Sequence, residues 1–99
     1  MADQYNIIHN EKEMHFEIHE NGEIAFLEYR FHKKDIAFMH TVVPKSQEGK
    51  GIAAALATFA FNYAKEQHKP VMVYCSYVAE FIRKHPEYNE QLDKEYYKG

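Results

Sequence analysis

The chain has 99 residues, of which 45% are hydrophobic and 15% aromatic, and its net charge is −3. This length supports one hydrophobic core, so we expect a single domain over residues 1–99 with its packed part at about residues 8–92. The absence of a long Lys or Arg block argues against a nucleic-acid partner. No apolar run approaches membrane-spanning length and no signal core is present, so we expect a soluble, cytoplasmic protein without membrane contact.

Alternating apolar and polar residues predict strands in the first half of the chain. Residues 5–8 are a brief β-prone run, and residues 14–19 alternate with the period of a half-buried strand. Asn21-Gly22 separates this strand from residues 24–31, which alternate again, and Asn-Gly is a strong hairpin signal. Residues 36–43 are mostly apolar, which favours a central strand. We therefore expect a three-stranded antiparallel meander.

Helical spacing predicts the next element, after Pro44 ends the meander. An apolar series with the spacing of one helix face comprises Ile52, Leu56, Phe59, Ala60, Tyr63 and Ala64. This helix should end near His68, because Pro70 disfavours helix at the residue before it. Residues 71–75 then read as a short buried strand, which can pair in parallel with residues 36–43 as a right-handed βαβ unit.

The end of the chain predicts a second helix and a weaker third one. Ser76 is a suitable N-cap for a helix that stops before Pro86. Residues 88–99 are polar with a few large apolar side chains, which is consistent with a weakly held last helix. The fold class predicted from these elements is α/β (α+β).

The single cysteine and the seven histidines indicate whether a disulfide or a bound metal is expected. Cys75 is the only cysteine, so an intramolecular disulfide is impossible and a reducing compartment is expected. The seven histidines do not pair at the short spacings of a zinc site, and one cysteine cannot complete such a site. We therefore predict no bound metal.

A glycine-containing loop lies between the predicted central strand and the long helix. In this arrangement the backbone amides of Gly49, Lys50, Gly51, Ile52 and Ala53 converge on one point, where an anion can bind. Glycine allows close approach because it has no Cβ, and Lys50 adds a positive charge. The alternative is that Gly49 and Gly51 only make a tight turn into the helix, since short glycine motifs are common by chance.

The residues around this loop resemble the acetyl-CoA signature of the GNAT superfamily, which is Arg or Gln, two residues, Gly, one residue, then Gly or Ala. Gly51 and Ala53 match the two small positions, and Glu48 stands where Arg or Gln is usual. Three further pieces, namely His40-Thr41, Cys75-Ser76-Tyr77 and residues 83–88, look like the small YjdJ-type GNAT-like proteins. The likeness runs from the first hairpin to about Leu92.

The resemblance implies a minimal GNAT-like fold in which the sheet opens between two parallel strands and holds coenzyme A in the gap. It implies that the pantetheine arm lies along Thr41, Val42 and Val43 and that the pyrophosphate lies on residues 48–53. The thioester would then reach the ends of both strands, close to Cys75 and Ser76. Open α/β sheets commonly bind ligands in such a crevice.

Three residues are candidates for catalysis. Cys75 is either a thiol in the active site, since a helix start favours the thiolate, or simple core packing. His40 is either the base that activates Cys75 or an amine, or a hydrogen-bonded core histidine. Tyr77 can donate a proton to the departing thiolate, or only pack the second helix.

The predicted function is acetyl transfer from acetyl-CoA to an unidentified amine acceptor. The chain is too short to carry the extra helices that hold acceptors in many GNAT enzymes. Two alternatives stay open: a coenzyme A-binding or sensing module with little turnover, or the catalytic half of an assembly in which a protein partner supplies the acceptor site.

Overall fold

A computed structural model describes residues 5–95 and gives a mixed α/β architecture. The strands are β1 (Ile8–Asn10), β2 (His15–Glu20), β3 (Glu23–His32), β4 (Asp35–Val42) and β5 (Val71–Val73). The α-helices are α1 (Ile52–Glu66) and α2 (Ser76–Lys84), and short 3-10 helices span Lys45–Gln47 and Pro86–Gln91. The expected order of meander, long helix, parallel strand and closing helix is confirmed.

The five strands form one sheet in the order β1-β2-β3-β4-β5. Neighbours are antiparallel from β1 to β4, and β5 pairs with β4 in parallel. The predicted meander of three strands is too short, because β1 adds a fourth by pairing Ile8 with Glu17. This strand begins at Ile8, where the predicted run 5–8 ends. The prediction missed the rest of β1 because His9 and Asn10 are polar and do not continue an apolar pattern.

One face of the sheet, the core face, carries the hydrophobic core. Ala25, Leu27 and Tyr29 of β3 are buried there, as the alternation of residues 24–31 predicts, while Ile24 lies on the opposite face and is exposed. Burying such side chains is the main favourable contribution to folding, at about 25 cal/mol per Å² of apolar surface. We call the opposite side of the sheet the outer face.

Both α-helices pack on the core face. Phe38 of β4 meets Phe61 of α1 edge-on at 5.2 Å between ring centroids, and Phe61 stacks on Tyr88 at 4.8 Å and on Phe81 of α2 at 6.3 Å. The apolar spacing in the sequence does not single out Phe61. It is buried because α2 and the segment after it cover a second side of α1, which widens the buried arc beyond the predicted stripe.

Several boundaries differ from the sequence prediction. Strand β5 ends at Val73 rather than at Cys75, because the chain turns there into α2. Cys75, not Ser76, is the N-cap residue of α2, and Ser76 is its first helical residue. Helix α1 ends at Glu66, close to the expected end.

The predicted last helix over residues 88–99 is only partly confirmed within the described residues, because residues 88–91 belong to a 3-10 helix and residues 92–95 are not helical. The chain forms a 3-10 helix at Pro86–Gln91, after which Leu92 makes a parallel bridge with Val71. The Asp93 amide donates to the Val71 carbonyl at 3.0 Å, so this segment extends the edge of the sheet beside β5. The remainder of the prediction, residues 96–99, lies outside the described residues.

Candidate functional site

A gap opens in the sheet between β4 and β5. The strands pair only from Ile36 and Val71 to Phe38 and Val73, and their last bond runs from the Tyr74 amide to the Phe38 carbonyl at 2.9 Å. Beyond this bond, β4 continues to Val42, whereas the segment after β5 turns into α2. The backbone of β4 beyond Phe38 is therefore open toward β5.

A β-bulge in β4 begins where the gap begins. The β3–β4 register passes from Tyr29 opposite Phe38 to Glu28 opposite His40, so Met39 is an extra residue on β4. A bulge bends its strand and increases the local twist. We attribute the divergence of β4 from β5 to this bend, because pairing between them stops at the same point.

The glycine loop brings the chain from β4 to α1 beside the gap. Gly49 and Gly51 have φ values of 80° and 75°, in the left-handed region where other residues are strained. Gly51 is the N-cap of α1 and offers no side-chain bond to the helix, so the first amides, from Ile52 onward, keep the free hydrogens of a helix start. The space where a Cβ would stand on either glycine is open.

Side chains that the sequence analysis missed hold this loop in place. Gln47 is fully buried, and its Nε2 donates to the backbone carbonyls of Glu20 and Glu23 at 3.3 and 3.2 Å. The hydroxyl of Tyr5 donates to the carbonyl of Lys50. The loop is thus tied to the β2–β3 hairpin and to the start of the described chain. No sequence signal beyond proximity to the glycines marks Gln47, since a polar residue before a loop is ordinary.

Two cavities of about 350 Å³ each lie beside the glycine loop and the gap between β4 and β5. The loop cavity is lined by Val43, Gln47, Glu48, Gly49, Gly51, Ile52, Ala53, Ala54 and Tyr77. The mouth cavity is lined by Met39, His40, Thr41, Val42, Tyr74, Cys75, Ser76 and Tyr77. Tyr77 borders both, so the two cavities adjoin. All of the predicted site residues except Lys50 line one or the other.

Cys75 is buried at the inner side of the mouth cavity. Its Sγ lies 3.2 Å from the Thr41 Oγ1, and this contact joins β4 to the start of α2 across the gap. The geometry allows either group to be the donor. The sequence left two interpretations of Cys75 open, core packing or a position in the site. In the structure the residue is packed in the core and also lines the mouth cavity.

His40 lies on the other side of the sheet from Cys75. It pairs with Glu28 across β3 and β4, and its side chain is 68% exposed, so the interpretation as a core histidine is wrong. Its Nε2 is 3.8 Å from Glu28 Oε1, while the other oxygen of Glu28 accepts a bond of 2.9 Å from Arg30. Glu28 is a neighbour of the site that the sequence analysis did not propose.

This geometry agrees with the comparison with known protein families. The family described as GCN5-related N-acetyl-transferase matches residues 15–92, which is well over half of the chain. The chain belongs to this family. The family resemblance deduced from the sequence is thereby confirmed, and the mixed sheet with its parallel β4–β5 pair is a minimal form of the GNAT fold.

Curated relatives extend over most of the chain. It is similar to Protein NATD1 of Xenopus tropicalis and of Bos taurus, with 32% identity over 89 residues in each case. These alignments cover 85% of this chain and 82% and 79% of the relatives. Protein NATD1 of Homo sapiens is 29% identical over the same length.

Members of the GNAT family typically use acetyl-CoA, and the loop residues fit the pyrophosphate of coenzyme A. Because the first turn of α1 contains no acidic residue and no side-chain cap, its free amides and the helix dipole favour an anion. The open space at Gly49 and Gly51 lets a phosphate approach the backbone. Glu48 is exposed and lines the same cavity, so its negative charge would oppose an anion there.

Tyr77, the candidate acid, lines both cavities. Burial raises the pKa of its phenol above the ordinary value, and the neighbouring Cys75 raises it further. The phenol therefore stays protonated at neutral pH and can donate a hydrogen bond. Its position between the two cavities suits a group that contacts the sulfur end of a bound thioester.

The residues that the structure describes contain no group of three or more His, Cys, Asp or Glu side chains arranged to hold a metal ion. Over the same residues, 5–95, no helix is long and apolar enough to cross a membrane.

Proposed function

We propose that this protein transfers an acetyl group from acetyl-CoA to a primary amine. The observation that carries the proposal is the path made by two cavities that share Tyr77, from the uncapped start of α1 to the mouth cavity between β4 and α2. One end of the path suits a phosphate, and the other end contains a phenol, a thiol and an imidazole.

The binding residues follow from this path. The amides of residues 49–53 would hold the pyrophosphate, with Lys50 contributing charge from outside the cavity. Thr41, Val42 and Val43 follow the point where β4 stops pairing with β5, so the edge of the backbone that faces the gap there could pair with the amide-containing pantetheine arm. Ser76 and Cys75 would border the sulfur end.

When bound, acetyl-CoA would supply a thioester. In the net reaction the acceptor ammonium loses two protons and its nitrogen gains the acetyl group; one proton passes to solvent and the other goes to the departing sulfur, so that coenzyme A leaves as the thiol. Tyr77 would donate a hydrogen bond to the leaving sulfur. His40, exposed at the outer side of the mouth, would accept the proton of the incoming ammonium and pass it to water. The amide of Val43 would stabilise the developing oxyanion.

A coenzyme A-binding module with little turnover is the second candidate. One observation favours it: His40, the base of the proposed reaction, is 68% exposed, and its Nε2 lies 3.8 Å from Glu28 Oε1, which is too long for a hydrogen bond that would orient the imidazole. Measured turnover with any amine decides between the two functions.

The central test compares two glycines with the same backbone strain. Gly51 and Gly22 have φ values of 75° and 77°, and both have open space at the Cβ position. Replacing either with Val should therefore cost similar stability, roughly 1–2 kcal/mol. Gly51→Val should also weaken coenzyme A binding at least tenfold, about 1.4 kcal/mol, whereas Gly22→Val should bind normally.

Calorimetric titration with coenzyme A measures the affinities, and thermal unfolding with and without coenzyme A checks them, because a native-state ligand raises Tm. Normal binding by Gly51→Val would mean that the loop is only a turn, as the alternative interpretation of the sequence has it.

A further inference from the structure

Two buried carboxyl groups meet where β4 begins and where the chain continues after the second 3-10 helix. Asp35 and Asp93 are 4% and 7% exposed, and a hydrogen bond joins their side chains. Both line a cavity of about 410 Å³, which shares no lining residue with the loop cavity or the mouth cavity. The pair therefore belongs to a different part of the molecule from the proposed reaction site.

The contact between these groups requires a proton. A carboxylate has no hydrogen to donate, so two carboxyl groups form a hydrogen bond only when one of them is protonated. Two negative charges at such close range would repel each other, and pairs of this kind share one proton for that reason. The Oδ1 atom of Asp35 is buried and accepts no hydrogen bond from the residues that the structure describes, which suits a neutral acid.

The charges around the pair only partly replace this proton. Lys34 Nζ lies 3.4 Å from Asp93 Oδ2, 3.8 Å from Asp35 Oδ1 and 3.5 Å from Glu95 Oε1. Its side chain is 61% exposed and is shared among three carboxyl groups, so water and this sharing weaken its attraction to each of them. The other charged or titratable residues beside the pair are His32 and Lys33, which line the cavity, and Lys94, which donates to the Asn89 carbonyl.

The pair connects β4 to residues 92–95, which we call the edge segment. Leu92 makes a parallel bridge with Val71, and the Asp93 amide donates to the Val71 carbonyl at 3.0 Å. The Glu95 amide donates to Asp93 Oδ1 at 2.9 Å, so the same carboxyl group also holds the turn that follows. Segments with few contacts open more readily than the core of a domain. The docking of the edge segment on β5 is therefore sensitive to the state of this pair.

We propose that the Asp35–Asp93 pair is a pH-sensitive latch, which holds the edge segment against β5 when the two carboxyls share a proton and releases it when both are charged. The docked segment binds the proton more tightly than the released segment does, because burial and the second carboxyl disfavour the charged form. Docking is therefore strongest in acid and weakens as pH rises above about 4, the ordinary pKa of an aspartate.

Release of the edge segment changes the surroundings of β5. The Val71 carbonyl loses its bond from the Asp93 amide, and β5 keeps only its pairing with β4. Leu92 leaves the small apolar cavity that it lines together with Val73 and Ile82, so these side chains become more exposed. The latch acts apart from the proposed reaction, and its test needs no coenzyme A.

Amide hydrogen exchange, measured by NMR on the full chain from about pH 4 to pH 8, tests the latch. Each rate is divided by the intrinsic rate at the same pH, which gives an opening constant for that amide. The opening constant of Asp93 should rise at least tenfold, about the effect of one pKa unit. The Tyr74 amide, which donates to the Phe38 carbonyl at the other end of β5, should change much less. A constant value for Asp93, or an equal rise for Tyr74, overturns the latch.

Two variants in the same cavity separate the shared proton from the net charge. Asp35→Asn offers Asp93 a donor at every pH, so the opening constant of Asp93 should not rise with pH. Glu95→Gln makes the same change in net charge beside Lys34 but leaves the pair intact, so the rise should persist. A rise that persists in Asp35→Asn, or one that disappears in Glu95→Gln, overturns the latch.

Discussion

Glu48 is the residue whose charge most directly opposes the proposed ligand. It lines the loop cavity, where the family usually has Arg or Gln. Two unit charges 4 Å apart in water interact by about 1 kcal/mol, which is roughly fivefold in affinity. We expect Glu48→Gln to tighten coenzyme A binding by about that factor at low ionic strength, and by less in physiological salt because of screening.

The matched control is Glu66→Gln, which makes the same change in net charge at the other end of α1. It lies roughly 20 Å from the loop by helical rise and should affect binding much less. Calorimetric titration at two salt concentrations measures both variants. Identical affinities for Glu48→Gln and the unmodified protein at low salt would show that the carboxylate points away from the pyrophosphate.

In the proposed reaction Cys75 borders the thioester and is not required as a nucleophile. Passing the acetyl group to a second thiol gives another thioester of similar reactivity, and the thiol contacts the Thr41 hydroxyl rather than a base. We expect Cys75→Ala to bind coenzyme A normally and to retain turnover within roughly tenfold, whereas losing an obligatory nucleophile costs on the order of 10⁶ in well-studied hydrolases.

Intact-mass spectrometry after mixing with acetyl-CoA distinguishes these routes. Direct transfer predicts at most slow, partial acetylation of Cys75. A fast stoichiometric adduct that an amine discharges, together with an inactive Cys75→Ala variant, would instead make Cys75 the nucleophile.

The elements around the site differ in how far the sequence predicts them. The hairpin at Asn21-Gly22, the apolar stripe of α1 and the glycine loop are local patterns, and the structure has each of them. The bulge at Met39 has no local pattern, because a strand with one extra residue remains β-prone and mostly apolar. It depends on the register with β3, which the sequence does not reveal.

The length of β5, at the edge of the gap, is also not predictable from the local sequence pattern. Residues 71–75 are uniformly apolar apart from the Tyr74 hydroxyl, so the pattern predicts a strand of five residues. The strand ends at Val73 because its pairing with β4 stops there: the last bond runs from the Tyr74 amide to the Phe38 carbonyl, and the chain then turns into α2. The wrong boundary of β5 and the gap between β4 and β5 therefore begin at the same point.

Considered as a whole, the molecule contains buried carboxyls whose contributions to stability respond to pH in opposite directions. Asp35 at the start of β4 and Asp93 after the last helical segment are 4% and 7% exposed. Burial raises the pKa of Asp35, and its hydrogen bond with Asp93 and the charge of Asp93 raise it further, against the opposing charges of Lys34 and His32.

Glu17 provides the contrast. Burial acts to raise its pKa, but the hydrogen bonds from His19, Asn10 and His15 together outweigh burial, so the pKa is lowered. A lowered carboxyl pKa adds stability above the unfolded-state pKa, and this stability is lost as pH falls through the folded-state pKa. A raised carboxyl pKa acts in reverse: the folded state binds the proton more tightly, so stability falls as pH rises from the unfolded-state pKa to the folded-state pKa.

The whole-molecule prediction follows from these signs. Asp35→Asn should match the unmodified protein most closely at about pH 3 and become more stable relative to it as pH rises to 7, because the amide mimics the protonated carboxyl and never acquires charge. Glu17→Gln should show the opposite trend and become less stable relative to the unmodified protein over the acid range. Urea unfolding from about pH 3 to pH 7 measures both differences, each on the order of 1 kcal/mol for a shift of one pKa unit.

A constant stability difference between Asp35→Asn and the unmodified protein across this range would mean that the Asp35–Asp93 pair does not hold a proton in the folded state. If both variants drifted in the same direction, the cause would be the net charge that they share rather than the two local environments.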